Sequence, residues 1–311
     1  MRKVPELNLL AYTAGTPNDK IRFVDDLFRG LKDYGFIILS EHFVAQKKVD
    51  DAYTLLQEFF NLPSETKCKY HNKSGGGQRG YTPFGREKAL GKTHPDLKEF
   101  WHVGREMPVE HPFYPYYGAN YWPDEIADFR PVFTELYQSM EQTSLVLMQA
   151  LGRALDLPPA YFNEMLNHGN SILRCIHYPP TERQDTRHAL RAAAHEDINL
   201  ITLLVGATDA GLELLDRNGE WLAVPSTERQ IVVDSGDMLS RLCNDLIPAT
   251  THRVVNPEDA TSARFSMPYF VHPHPQAELT CLPSCVGTGA KYPPISSHEF
   301  LQQRLKDIGL T

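Results

Sequence analysis

Apolar positions recur at helical spacing through the first sixty residues, lengthen into one long helical stripe in the middle of the chain, and change period after residue 171. Ile21, Val24, Leu27, Phe28 and Leu31 fall on one helical face, with Pro17-Asn18 offering an N-terminal cap and Gly35 a stop. Phe36 to Leu39 then reads as a short strand. A second helix buries Val49, Ala52, Leu56, Phe59 and Phe60 and ends at Leu62-Pro63. Residues 73–104 are irregular, and 109–122 form a loop dense in aromatics and proline. Phe133, Leu136, Tyr137, Met140, Leu147, Met148, Leu151 and Leu155 keep helical period for more than about five turns. This spine helix ends at Leu157-Pro158-Pro159, and a short helix through Phe162 and Leu166 follows.

From Ile172 the chain reads as eight short strands: Ile172 to Tyr178, Asn199 to Val205, Leu212 to Leu215, Trp221 to Val224, Gln230 to Val233, Met238 to Leu242, His252 to Val255 and Ala263 to Val271. Asn218-Gly219 is a hairpin turn between two of them. Eight such strands predict an all-β core with flanking helices, a double-stranded β-helix (jelly roll), preceded by an N-terminal α/β region. The expected division is 1–122 for the N-terminal helix-strand region and active-site loops, 123–170 for the spine helices, 171–275 for the jelly-roll core and 276–311 for a C-terminal loop and helix, all one unit. In the last part, Ser297 to Leu310 is helical and either packs on the scaffold or meets another subunit.

Composition narrows the classes. With 311 residues, 41% of them hydrophobic and 23% charged, the chain can bury a large core. A net charge of -8 without a basic cluster argues against nucleic acid and against an anionic membrane as partner, and no protein partner is indicated. Residues 1–10 lack the apolar run of a signal peptide, so the expected location is cytoplasmic. Five cysteines without regular spacing do not suggest a disulfide framework; Cys281 and Cys285 are a near pair, read as two free thiols with a metal or redox role as the alternative. Ser74-Gly-Gly-Gly-Gln78-Arg79-Gly80 lacks the Gly-Lys-Ser/Thr ending of a phosphate loop, which excludes that kind of nucleotide site.

The candidate chemistry lies between His195 and Ser266. His195 and Asp197 stand at i and i+2, which in extended backbone leave the same face, and His252 would reach them from another strand. Two imidazoles and one carboxylate make the donor set of a facial triad for non-haem Fe(II), with three positions left open. A structural zinc site would need a fourth ligand. Glu196 should point away from the pair. Arg264 and Ser266, again at i and i+2, can receive a small carboxylate, since a guanidinium binds both oxygens; an ordinary salt bridge is the alternative.

The order His-x-Asp, distal His, Arg-x-Ser, preceded by Arg174-x-x-x-Tyr178-Pro179-Pro180, resembles the Fe(II)/2-oxoglutarate-dependent dioxygenases of the isopenicillin N synthase-like group. The segments Gly80 to Gly85 and Asp96 to Trp101 are similar to stretches beside the active-site mouth of that family, and the resemblance spans nearly the whole chain. It implies Fe(II) on His195, Asp197 and His252, and 2-oxoglutarate on Arg264 and Ser266 with Tyr178 beside them. The implied reaction couples decarboxylation of 2-oxoglutarate to succinate and CO2 with O2-dependent oxidation, by hydroxylation or desaturation, of a small-molecule substrate. Arg174, Tyr81, Phe84 and Phe270 are candidate substrate contacts; packing, or a rim salt bridge for Arg174, is the alternative. Ile176 stands where many plant members carry Asn, and the bacterial ethylene-forming branch is similar here. An oxidase of the same fold that uses no 2-oxoglutarate, like isopenicillin N synthase or the plant ethylene-producing oxidase, and a non-catalytic binding protein are the other readings. His177, His272 and His274 are expected to face solvent. Both ligand histidines must be neutral, so activity should fall as pH drops through their titration.

Overall fold

A computed structural model describes residues 3–72, 78–85, 98–180, 192–206, 211–255 and 263–307. The glycine-rich run at 74–77, the part of the irregular stretch at 86–97, and residues 181–191 lie outside the described residues. The chain opens with β1 (Glu6–Asn8), α1 (Leu9–Ala14) and α2 (Pro17–Tyr34). Thr16 rather than Pro17-Asn18 caps α2, its side chain and that of Asp19 forming a reciprocal capping box, and Gly35 ends the helix at φ 66°. Next come β2 (Phe36–Ser40), α3 (Gln46–Phe60), α4 (Ser64–Cys68), β3 (Gly80–Thr82), β4 (Glu99–Gly104) and α5 (Tyr114–Tyr117), the last a single turn within the aromatic loop. The spine is α6 (Phe129–Ala154), followed by α7 (Tyr161–Leu166).

The remaining strands are β5 (Ile172–Tyr178), β6 (Ala192–His195), β7 (Ile201–Val205), β8 (Leu212–Leu215), β9 (Trp221–Ala223) and β10 (Ile231–Ser235), then α8 (Asp237–Leu242), β11 (His252–Val254), β12 (Arg264–Ser266), β13 (Pro268–Val271) and the C-terminal α9 (Ser297–Asp307). Two expectations are corrected. Met238 to Leu242 is helical, because the apolar run starts at Gly236-Asp237 and its first N–H groups bond back to the carbonyls of residues 197–199. The Ala263 to Val271 strand is broken at Met267, before Pro268, which has no N–H to give to a ladder.

The strands form two sheets. The large one runs β1-β2-β10-β7-β13-β5-β4-β3, with β12 also paired to β5, and the small one runs β6-β11-β8-β9. The N-terminal strands therefore extend the catalytic sheet. Alternation sorts the side chains: Leu173 and Cys175 of β5 join the core under the helices, whereas Ile176 and Tyr178 cluster with Phe100 on the opposite face. On β2 and β10, Ile37 and Val233 pack toward the helices, while Phe36, Ile38 and Val232 meet Leu214 and Val224 of the small-sheet region. Helices α3 and α6 cover the outer face with Phe59, Phe129, Phe133 and Met140, all fully buried. No described helix is long and apolar enough to cross a membrane.

A buried ionic cluster lies on this helix-covered face. Lys67 Nζ donates to Glu99 Oε2 at 2.7 Å, His177 Nδ1 lies 2.8 Å from Glu99 Oε1, and the Tyr81 hydroxyl donates to the same carboxylate. Burial would raise the Glu99 pKa; the bonds from His177, Lys67 and Tyr81 outweigh it and leave the group low. His177, expected at the surface, is instead stacked between Phe60 (5.2 Å) and Phe265 (4.9 Å). Replacing Lys67 with Met should cost about 3–5 kcal/mol of stability, because it strands a buried carboxylate. Chemical denaturation reads this; an unchanged midpoint would mean that Tyr81 and His177 suffice for Glu99.

Candidate functional site

His195 is the last residue of β6, Asp197 lies two residues beyond it, and His252 is the first residue of β11. The two strands are antiparallel with His252 opposite His195, and the register shifts between His252 and Val254. Such an irregularity re-aims side chains, and here it sits beside the site. The imidazole centroids are 4.4 Å apart, His195 Nε2 lies 3.7 Å from Asp197 Oδ1, and one ligand atom from each of the three residues falls within 4.8 Å of the others. No other such group of His, Cys, Asp or Glu occurs among the described residues. Each Nδ1 is engaged by a carbonyl two residues back, His195 with Ala193 O at 2.7 Å and His252 with Thr250 O at 3.1 Å. That bond places the proton on Nδ1 and leaves the Nε2 lone pair for a metal. Glu196 turns away and accepts from Thr251 Oγ1 at 3.0 Å.

The carboxylate is held as firmly as the rings. Thr202 Oγ1 donates to Asp197 Oδ2, and Asn199 Nδ2 donates to Thr202 Oγ1 at 2.8 Å. The Asp197 carbonyl accepts the Asp237 N–H at 2.7 Å, so α8 supports the ligand's backbone. Burial alone would raise the Asp197 pKa; His252, His195 and the Thr202 hydroxyl hold it low. Burial, then the charge of Asp197 and a hydrogen bond to it, push the Asp234 pKa far up. Burial and then the adjacent His252 push His195 down to about 4. Its side chain is 45% open to solvent, which screens part of this effect and still leaves His195 neutral at pH 7.

The wall formed by β5, β12 and β13 carries the polar residues picked out in the sequence. Arg264 and Ser266 pair with Tyr178 and Ile176 across β12 and β5, and the Arg264 guanidinium carbon lies 5.3 Å from the Tyr178 ring centroid. Arg264 is 1% exposed, which excludes an ordinary surface salt bridge. Arg174 projects from the same face of β5. Its Nε lies 2.6 Å from His102 Nε2, and its guanidinium carbon is 4.5 Å from the Phe100 ring and 5.4 Å from the Phe270 ring. Its charge also helps to lower the Asp197 pKa, so Arg174 is within electrostatic reach of the triad.

Other expectations are placed differently. Tyr81 lies on the helix-covered face against Phe59 and Trp101 and bonds Glu99, which makes it a packing residue and not a substrate contact. Phe84 is exposed and its ring lies 6.4 Å from His177, with no described contact to the triad. His272 is 8% exposed, and His274 is half-buried and stacked 5.3 Å from Phe113; neither faces solvent freely, because the segment after β13 folds under α7. Thr202, Asp234 and His102 were not singled out from the sequence. The available signal for Asp234 was an acid ending a strand of Ile231, Val232 and Val233.

Two family models match the chain: the non-haem dioxygenase in morphine synthesis N-terminal region over residues 4–125, and the 2OG-Fe(II) oxygenase superfamily over residues 169–273. The proline hydroxylase buaE of Petromyces alliaceus is 30% identical, covering 97% of this chain and 98% of its own. A solved 2OG-Fe(II) oxygenase family protein of Caulobacter crescentus is 41% identical with a TM-score of 0.89, covering 97% of this chain and 98% of its own. A full-length Neurospora crassa protein, solved in complex with alpha-KG and thymine, is 28% identical with a TM-score of 0.87, covering 97% of this chain and 96% of its own.

Two outcomes test the geometry. Thr202→Val removes the donor on Asp197 and should weaken Mn(II) or Fe(II) binding about 10–100-fold; equal affinity in a metal titration would remove Thr202 from the site. Burial pushes His272 down to about 4, below its ordinary value near 6.5, so the folded state takes up its proton later than the unfolded state does. Its contribution is present above about pH 6.5 and is lost as pH falls toward 4. His272→Gln should flatten that part of the Tm–pH curve, and a curve of unchanged slope would contradict it.

Proposed function

Because the chain belongs to the 2OG-Fe(II) oxygenase superfamily, we propose that His195, Asp197 and His252 hold Fe(II), that Arg264 and Ser266 receive the far carboxylate of 2-oxoglutarate beside Tyr178, and that Arg174 and Phe270 face the substrate. The protein is a 2-oxoglutarate-dependent dioxygenase that uses Fe(II), 2-oxoglutarate and O2 and oxidises a small molecule. The observation that carries the residue assignment is the triad itself: two Nε2 lone pairs and one ionised carboxylate oxygen meet within 4.8 Å, with each ring's other nitrogen already bonded. That donor set suits Fe(II) and leaves open positions for a chelating co-substrate and a gas. Bound Fe(II) supplies the activation of dioxygen; positioning and dryness come from the chain.

The buried Arg264 guanidinium offers a two-pronged receptor in a region from which Ile176 and Phe100 exclude water, so its pull on a carboxylate is stronger than at a surface. The Ser266 hydroxyl on the same face of β12 can donate a second bond. Arg174, backed by two aromatic faces and fixed at His102, can grip an anionic or carbonyl group and turn the substrate toward the triad. The Neurospora complex holds thymine, and planar rings of that size are the class to screen first against Arg174. All five cysteines are free thiols, which supports a reducing, cytoplasmic setting.

Anaerobic titration of the Fe(II)-loaded protein with 2-oxoglutarate should develop a saturable visible charge-transfer band, and turnover should release succinate. Iron binding without a band would favour an oxidase that uses no 2-oxoglutarate. His252→Ala should abolish turnover through lost iron. Arg264→Ala should keep iron but weaken 2-oxoglutarate binding about 10–100-fold, as expected for a lost charge-assisted bond; parental affinity would refute the assignment.

A further inference from the structure

The 3-10 turn Pro283–Cys285 is fastened to the C-terminal end of α8 on both sides of Cys243. The Leu282 N–H donates to Leu242 O at 2.8 Å, and the Asn244 side-chain amide donates to the carbonyls of Cys285 and Gly289, each at 3.2 Å. Residue 243 is thereby held beside residue 285, flanked by the Leu242–Leu282 and Asn244–Cys285 bonds. Cys243 is fully buried, whereas Cys285 is half-buried and reachable from solvent. The third thiol nearby, Cys281, is directed elsewhere, its Sγ lying 3.4 Å from Arg241 O and 3.6 Å from Asn244 Oδ1. The Cys243 thiol pushes the Cys285 thiol down to about 6 against the effect of its burial, and the Ser284 hydroxyl, 3.8 Å away, adds to the lowering. Cys285 is therefore an accessible thiolate at pH 7 with a buried thiol beside it, the pairing that redox-active cysteines require.

We propose that Cys243 and Cys285 are a peroxide-modified dithiol, Cys285 being the attacking thiolate and Cys243 the resolving thiol. The Cys285 thiolate attacks one oxygen of hydrogen peroxide; the O–O bond breaks, the sulfur is oxidised to sulfenic acid, and the other oxygen leaves as water with a solvent proton. The Cys243 sulfur then displaces the sulfenic oxygen, its own proton leaving in a second water. The net change is two thiols and one peroxide to one disulfide and two waters. The bond ties the C-terminal segment to α8, whose Asp237 N–H supports the Asp197 carbonyl and whose Asp237 carboxylate pairs with Arg304 of α9 at 2.8 Å. The inference stands on these contacts and is independent of the oxygenase assignment.

The full chain, loaded with Mn(II) to avoid iron–peroxide chemistry, is treated with stoichiometric hydrogen peroxide and read by intact mass and non-reducing peptide mapping. The expected result is a loss of about 2 Da, one Cys243–Cys285 cross-linked peptide, and full reversal by dithiothreitol. C243S should convert this into a sulfenic acid at Cys285 that dimedone traps, and C285S, at the more exposed position, should leave Cys243 unreacted. A Cys281–Cys285 cross-link, oxygen addition at Cys285 with Cys243 still free in the parent chain, or an unaltered C285S response would each overturn the proposal.

Discussion

Antiparallel pairing of β6 with β11 sets His252 opposite His195, and the rest of the site depends on that contact. Three donors that share one ion must be brought within a few ångströms, although His195 and His252 stand far apart along the chain. Ladder hydrogen bonds between β6 and β11 do this. The Nδ1 bonds to Ala193 O and Thr250 O then fix the tautomers, and Thr202 fixes the carboxylate. Donors fixed by backbone pairing and by their own hydrogen bonds lose little ordering entropy when they bind an ion.

The large sheet separates two kinds of buried charge. On the helix-covered face, Lys67 and His177 both meet the Glu99 carboxylate beneath Phe60 and Phe265. On the inner face, Arg264 and Arg174 lie among Tyr178, Phe100 and Phe270, where buried guanidinium groups can receive anions. The same two strands, β4 and β5, carry both sets by alternation, so the Glu99 cluster fixes from behind the strands that present Arg174 and Tyr178. Stability and ligand recognition thus share a single backbone.

Charge at the triad is set by its neighbours. The two buried acids are driven in opposite directions, Asp234 up by burial and the charge of Asp197, and Asp197 down by the two imidazoles that face it. Helix α8 closes this arrangement from below, its first N–H groups meeting the carbonyls of residues 197–199. The cysteine turn reaches the far end of the same short helix.

Local pattern by itself determined the long helices, because stripes such as Phe133 to Leu155 can be buried in only one way. It also determined the hairpin at Gly219, which takes φ 79°, and the shared face of Arg264 and Ser266, since i and i+2 on a strand share a face wherever the strand lies. Pattern could not decide Met238 to Leu242, a run too short to choose a period, where bonds to residues 197–199 chose the helix. Nor could it decide His177 or Tyr81, whose burial follows from Lys67 and Glu99 meeting them from other elements. Thr202 and Asp234 became part of the site only through the pairing of β7 with β10, which sets Asp234 opposite Thr202. Residue spacing carries the face and the donor type; which side of a sheet is covered, and what stands across from a residue, is settled only when distant strands pair.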